Sequence, residues 1–189
     1  MLRKESTMIK DKKNHMKGRI LKAAFDCFLQ YGYSKTTFVD IVKKARISRA
    51  SLYLYFKNKE DLFIEMNKNL HDIYVTKSEE ILKSTLSDTE KLAKIIDIWI
   101  VNHYRDMKNT NYANELLDGL LHVSRQTEKR FKELFIKSIT PIVGEKMAEI
   151  IVLSMRGLMD DRPPVKKLQE RIELLTKVVI QCKRPPGVV

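Results

Sequence analysis

A chain of 189 residues with 43% hydrophobic and 32% charged residues is long enough to bury a core and too apolar to stay disordered. Its formal charge of +12 is unevenly placed, with 15 Lys/Arg against 5 Asp/Glu in residues 1–60 and 21 against 19 in the rest. The first third is therefore suited to a polyanion, either nucleic acid or an anionic membrane surface, and the nearly neutral remainder to another task.

Only six glycines and five prolines interrupt the chain, and neither strand-like alternation nor an internal repeat is convincing, so an all-α fold is expected. Residues 1–14 read as a flexible basic arm. From there Ile20, Leu21, Ala24, Phe25, Phe28 and Leu29 share one helical face, and Gly32 is placed as a left-handed C-cap. Thr37 is the next N-cap, with Asp40 three residues on as in a capping box and Ile41, Val42 and Ala45 on the buried face. Ile47-Ser48 interrupts that short helix, and Ser48 caps a third from Arg49 to about Tyr55, whose Leu52, with Phe56, packs back on the first two.

Short helix, tight turn, short helix is a helix-turn-helix pattern. Asn58, with Asp61 at the third position, caps a fourth helix carrying Leu62, Phe63, Met66, Leu70 and Ile73. Further helices are expected at about 88–107, 111–123, 127–139, 141–159 and 165–182, separated by Asn109-Thr110, Ser124 and Arg162-Pro163-Pro164. The expected domains are the arm at 1–14, a helix-turn-helix domain at 15–60 and a helical regulatory and dimerisation domain at 61–189.

The second helix of such a motif enters the major groove of DNA and brings its N-terminal residues to base edges. That nominates Arg49, Ala50, Ser51 and Tyr53. Arg49 either bridges a guanine's O6 and N7 or holds a phosphate; Ala50 suits a thymine methyl and Ser51 donates or accepts. Tyr53 reads equally as a packing residue. Thr37, at a helix N-terminus, caps, contacts phosphate, or does both.

Residues 19–66, RILKAAFDCFLQYGYSKTTFVDIVKKARISRASLYLYFKNKEDLFIEM, resemble the N-terminal domain of TetR-family transcription regulators. The shared features, in order, are Gly32-Tyr33, Thr36-Thr37, Ser48, Leu52-Tyr53, Tyr55-Phe56 and Lys59 with Leu62. The resemblance implies backbone contacts to DNA from Tyr55 and Lys59, and less firmly from Lys57, while Leu54 replaces the polar or aromatic contact residue of many relatives. Arg46 stands where the family usually has glycine; in a left-handed turn it costs about 1 kcal/mol, and it is either a phosphate contact or a tolerated exposed side chain.

A single recognition helix makes too little contact for strong discrimination, so a homodimer on a palindromic operator is expected. Met147, Ile150, Ile151, Ser154, Met155 and Leu158 share one helix face, as do Leu168, Ile172, Leu175 and Val179 on the last helix. They match the paired helices through which relatives dimerise, and serve either that contact or the protomer's own core. The resemblance further implies a small-molecule effector among the middle helices, for which Trp99, His103, Tyr104, Tyr112, Leu116, Leu120 and Phe131 are candidates, with plain core packing as the competing role. Asp97, Glu115 and Asp118 suit a cationic effector only if they face inward; acidic residues at helical spacing are otherwise solvated.

No catalytic signature such as GxGxxG, HExxH or GxSxG occurs, and His15, His71, His103 and His122 stand singly, as surface or satisfied histidines would. An enzyme is not expected, nor is a cofactor or a metal. Cys27 and Cys182, with no CxxC or Cys/His cluster, read as reduced, buried thiols. No apolar run approaches the roughly 20 residues of a membrane span and no signal-peptide stretch follows Met1, so a cytoplasmic regulator without membrane attachment is expected.

Overall fold

Helix α1 runs from Leu2 to Tyr31 in the computed structural model, which describes residues 2–112 and 125–183, with side chains over 14–112 and 127–182. The segment expected as a flexible arm is thus helical backbone. No proline or glycine precedes Gly18, and Lys, Glu and Met are good helix formers, so nothing stops the helix from extending backwards. After α1 come α2 (Phe38–Ala45), α3 (Arg49–Tyr53) and α4 (Lys59–Leu82). Then α5 (Asp88–Ile96), a π-helical turn (Asp97–Val101) and α6 (Asn102–Lys108) follow without a break, and α7 (Arg125–Val143), α8 (Glu145–Met159) and α9 (Val165–Lys183) complete the described chain. All regular structure among the described residues is helical. The helix expected at 111–123 lies outside them.

Start signals read from the sequence are realised as hydrogen bonds. Thr37 accepts from the Asp40 amide while Asp40 accepts from the Thr37 amide, closing a capping box, and Ser48 accepts from the Ser51 amide. Asn58 Oδ1 takes the Asp61 amide at 2.8 Å. Ser87 and Glu90 form a second box that opens α5. One expected break moves: α7 continues through Pro141 and stops at Gly144, whose φ of 81° only glycine adopts without strain.

The chain divides into two compact units, residues 1–69 with 110–125 and residues 70–109 with 126–189. The division falls inside α4, whose opening turns bury Leu62, Phe63 and Met66 with Ile20, Ala24 and Phe28 of α1, Ile41 of α2 and Leu52 of α3. In the second unit Leu92, Ile95, Ile96, Phe135, Ile139, Ile151 and Leu168 are fully enclosed. At its centre the Trp99 ring stacks on Phe135 at 5.3 Å and meets Tyr74 and Phe131 edge-on at 5.4 Å, and Trp99 Nε1 donates to Ser78 Oγ at 2.9 Å.

His71 sits against this cluster, 5.4 Å from the Phe131 ring. Burial pushes its pKa down to about 4, helped by the Arg130 charge and opposed by Asp72. His103 keeps some contact with solvent, yet protein crowds it on every side. Desolvation and then the charge of His71 bring it down to about 4 as well. Between pH 6.5 and about 4 the unfolded chain therefore binds protons that the folded second unit refuses, so stability rises with pH across that window and is complete above it. Asp161 titrates below the window, held at about 2 by Arg171. The urea midpoint should fall as the pH is lowered from 7 to 5, and fall less steeply in His71→Phe; a midpoint flat over that range in the wild type would contradict the neutral, buried histidines.

Candidate nucleic-acid interface

The recognition element is held from beneath by a few side chains and left free above. Leu52, fully buried, anchors α3 to the first unit, and Phe56, 1% exposed, secures the chain just after it. Arg49, Ala50, Tyr53 and Leu54 are all exposed, Leu54 to 82%. Ser51 is half-buried, with its hydroxyl 2.8 Å from that of Ser48. Burial of one position in each turn thus turns the others outward, the arrangement a helix needs to place side chains in a groove.

Arg49 is pre-arranged on this surface. Its guanidinium carbon lies 5.7 Å from the centre of the Tyr53 ring, and Nη2 donates to the Tyr53 hydroxyl at 3.4 Å. Tyr53 in turn meets Phe38 of α2 edge-on at 5.3 Å. The ring of Tyr53 thus packs on one side and remains half exposed on the other.

The turn before α3 has the left-handed geometry that glycine favours: Arg46 adopts φ 52° and ψ 54°. Its amide and that of Ile47 close the end of α2 on the Lys43 and Val42 carbonyls at 3.2 Å. The side chain is exposed, as are those of Lys35, Lys43, Lys44 and Lys57. The acidic groups of the same unit are largely occupied, Asp40 and Asp61 in helix caps and Glu65 by Lys17 and Lys68 at 2.7 and 2.8 Å. A positive surface on which Asp40, Asp61 and Glu65 are engaged within the protein suits a polyphosphate backbone.

Two expected phosphate contacts have other work. Lys59 Nζ donates to the carbonyls of Tyr33, Ser34 and Thr36 at 2.7, 3.1 and 3.1 Å and lies 4.5 Å above the Tyr33 ring. An ammonium has three protons, and all three are taken. Lys59 is thus a clamp on the turn between α1 and α2 rather than a free cation. The Thr37 hydroxyl is bonded to Asp40 at 2.6 Å, which makes capping its observed role. Tyr55 remains half-buried beside Phe56. Arg19, not singled out from sequence, donates from Nη2 to the Ala45 carbonyl at 2.7 Å and so closes the C-terminus of α2.

The second unit sorts its candidates differently. Trp99 and Phe131 come together and Tyr104 does not join them, because its hydroxyl donates to the Pro163 carbonyl at 2.7 Å. Tyr112 falls in the first unit, with Lys35 5.3 Å above its ring. Leu116, Leu120, Glu115, Asp118 and His122 lie outside the described residues. Asp97 is half-buried and receives a hydrogen bond from Asn102 Nδ2 at 3.2 Å. His71, read from sequence as a surface or satisfied histidine, is instead buried with Nδ1 unpaired. Cys27 is buried as expected, whereas Cys182 is exposed.

The residues nominated for dimerisation, for which the protomer's own core was the competing role, are mostly enclosed. Ile151, Met155, Leu168, Ile172 and Val179 are between 0% and 5% exposed within one protomer, and only Leu158 and Leu175 keep partial exposure. Apolar periodicity marks the inward face of a helix first, whatever lies outside. The apolar side chains that α8 and α9 leave outside are Ile150 and Leu153, and Leu174 and Val178.

Residues 20–66 match the family described as bacterial regulatory proteins, tetR family. Over that segment, about a quarter of its length, the chain is similar to TetR-family regulators. It is 35% identical over 78 residues to the fatty acid metabolism regulator protein of Bacillus subtilis, a match covering 41% of this chain and 40% of that protein. The fold extends further than the sequence likeness. A transcriptional regulator from Aquifex aeolicus superposes with a TM-score of 0.60 at 25% identity, over 87% of this chain and 99% of the other. The regulator FadR of Bacillus subtilis, in complex with stearoyl-CoA, does so with a TM-score of 0.59 at 21% identity, over 88% and 98%. Lys59, at the head of α4 and within the matched segment, is a structural clamp, and that has a measurable consequence. Lys59→Met, which keeps the aliphatic stem, should destabilise the first unit by about 2 kcal/mol while leaving the order of preference among DNA sequences unchanged; thermal melts and binding to a panel of duplexes check the two parts.

Proposed function

We propose that this chain is a sequence-specific DNA-binding transcription regulator, a repressor that occupies a palindromic operator as a homodimer and leaves it when a small molecule binds. The observation that carries the reading is the recognition helix, anchored by the enclosed Leu52 and presenting Arg49, Ala50, Tyr53 and Leu54 on a basic surface. Arg49 has the reach and fork geometry to bridge guanine O6 and N7, and Tyr53 holds it ready. Leu54 and Ala50 offer apolar contact to thymine methyls, while Arg46, Lys43, Lys44 and Lys57 supply backbone charge. Repression requires only that the bound protein cover a promoter.

Ligand control is supported by the enclosed aromatic centre of the second unit and by the Bacillus subtilis structure of the same fold with stearoyl-CoA bound. For release, the ligand must bind the DNA-incompetent form more tightly than the competent one. A regulator of DNA in a bacterial cell works in the cytoplasm, and no helix among the described residues is long and apolar enough to cross a membrane.

Operator selection from random duplexes at fixed salt, with wild type and Arg49→Ala in parallel, tests the reading. An enriched palindrome is expected, with Arg49→Ala losing about 1–3 kcal/mol and relaxing one position in each half-site. Binding that depends on salt alone, with no enriched sequence, would leave only a general affinity for polyanions.

The homodimer is assigned to the outer faces of α8 and α9, where Leu153 and Leu174 are 67% and 65% exposed. Leu153→Glu combined with Leu174→Glu should sediment as a folded monomer and lose most operator affinity. A double variant that stays dimeric would place the contact on another surface.

A further inference from the structure

Among the described residues, three buried polar atoms have no hydrogen-bond partner, and two of them, His71 Nδ1 and Arg130 Nε, belong to neighbouring groups of the second unit. An unmet buried donor or acceptor is costly and rare in a folded protein, and it points to a partner still to come. His71 is only 6% exposed, so bulk water does not serve it. Arg130 spends a terminal nitrogen on Asp72, which leaves its Nε–H directed elsewhere.

The chemistry of the pair narrows the partner. Arg130 Nε is a donor and never an acceptor, and the Nδ1 of a neutral imidazole donates in one of its tautomers. Two donors are answered together by the two oxygens of a carboxylate, and the guanidinium charge favours an anion over an ammonium head group. Nearby acids do not compete, since Asp72 is paired with Arg130 and Asp97 accepts from Asn102.

The surroundings suit an apolar body. Trp99 and Phe131 flank His71; the indole is enclosed by its ring neighbours with its N–H spent on Ser78, and the partly exposed Phe131 ring is the apolar surface that remains open beside the pair. Trp99 stands on the π-helical turn, a widened form that interrupts a regular helix and is frequent at functional sites. Phe131 remains partly exposed, which gives a way in.

The geometry points to His71 and Arg130 as the anchor for the carboxylate of an apolar carboxylic acid, whose hydrocarbon part lies against Phe131 beside the enclosed Trp99. This rests on the reading of the chain as a ligand-controlled regulator and adds to it the head group and the residues that hold it.

Trp99 is the single tryptophan of the chain, so its emission reports directly on the site without DNA. Octanoate titrated into the full-length protein should change that emission saturably and bind at least about tenfold tighter than octanol or octylamine. His71→Phe and Arg130→Gln should each weaken octanoate by about tenfold or more, with far-UV circular dichroism confirming the fold. Asp72→Asn, which removes the ion pair and spares Nε, should stay within about threefold of wild type. Saturable, anchor-dependent binding upholds the site whether or not operator affinity moves, because operator affinity tests control and not the anchor. Absence of saturation, equal binding of octanol, wild-type binding by His71→Phe, or equal losses in Asp72→Asn and Arg130→Gln would each overturn the assignment and leave a bridging water as the missing partner.

Discussion

A single ammonium group gathers three backbone carbonyls at the turn between α1 and α2, and the geometry of the helix-turn-helix depends on it. Tyr33, Ser34 and Thr36 direct their oxygens at Lys59, which also covers the ring of Tyr33. That ring is packed against Phe28 and Phe63 at 5.4 and 5.0 Å, so the charge and the aromatic core stabilise one another. The same turn delivers Thr36, whose hydroxyl lies 2.6 Å from the Gly32 carbonyl, and then Thr37, which starts α2. Without the clamp, carbonyls in a short turn would face one another with only water between them.

Lys59 and the His71 pair show two treatments of a buried or half-buried polar group. At Lys59 every proton has an acceptor within ordinary hydrogen-bond distance, and the group serves the fold. At His71 and Arg130 one nitrogen each is left without a partner, that of His71 amid aromatic rings. A fold with no use for such a place would fill it with leucine or phenylalanine, because an apolar side chain of like volume carries no desolvation penalty.

Local signals in the sequence were reliable wherever cause and effect lie within four residues. The caps at Thr37, Ser48 and Asn58, the left-handed residue at Arg46 and the helix-turn-helix they enclose all follow from side chains bonding to the nearest free amides. What crosses greater distances was not legible. The partners of Lys59 lie 23 to 26 residues away, and Arg19 reaches Ala45 over 26, so neither role leaves a mark in the local pattern. Of the stripes singled out on α8 and α9, Ile151, Met155, Leu168, Ile172 and Val179 are enclosed within the protomer while Ile150 is exposed, since apolar spacing reports the inward face first and says little of the apolar residues beside it. His71 could have been found by its i+4 spacing from Asn67, itself four residues after Phe63, all three being buried. An isolated histidine carries no sign of what surrounds it.

The division of labour within α3 also bears on how such a protein changes over time. Ser48 starts the helix and Leu52 fixes it, while Arg49, Ala50, Tyr53 and Leu54 touch little of the protein's interior. Substitutions at the outward positions leave the cap and the anchor in place, and surface changes of that kind shift stability by no more than about 0.5 kcal/mol. After a gene duplication, the descendant copies could therefore acquire new operators by exchanging a handful of exposed side chains, each intermediate remaining folded and able to bind. Packing holds the scaffold, and the outward side chains are free to vary.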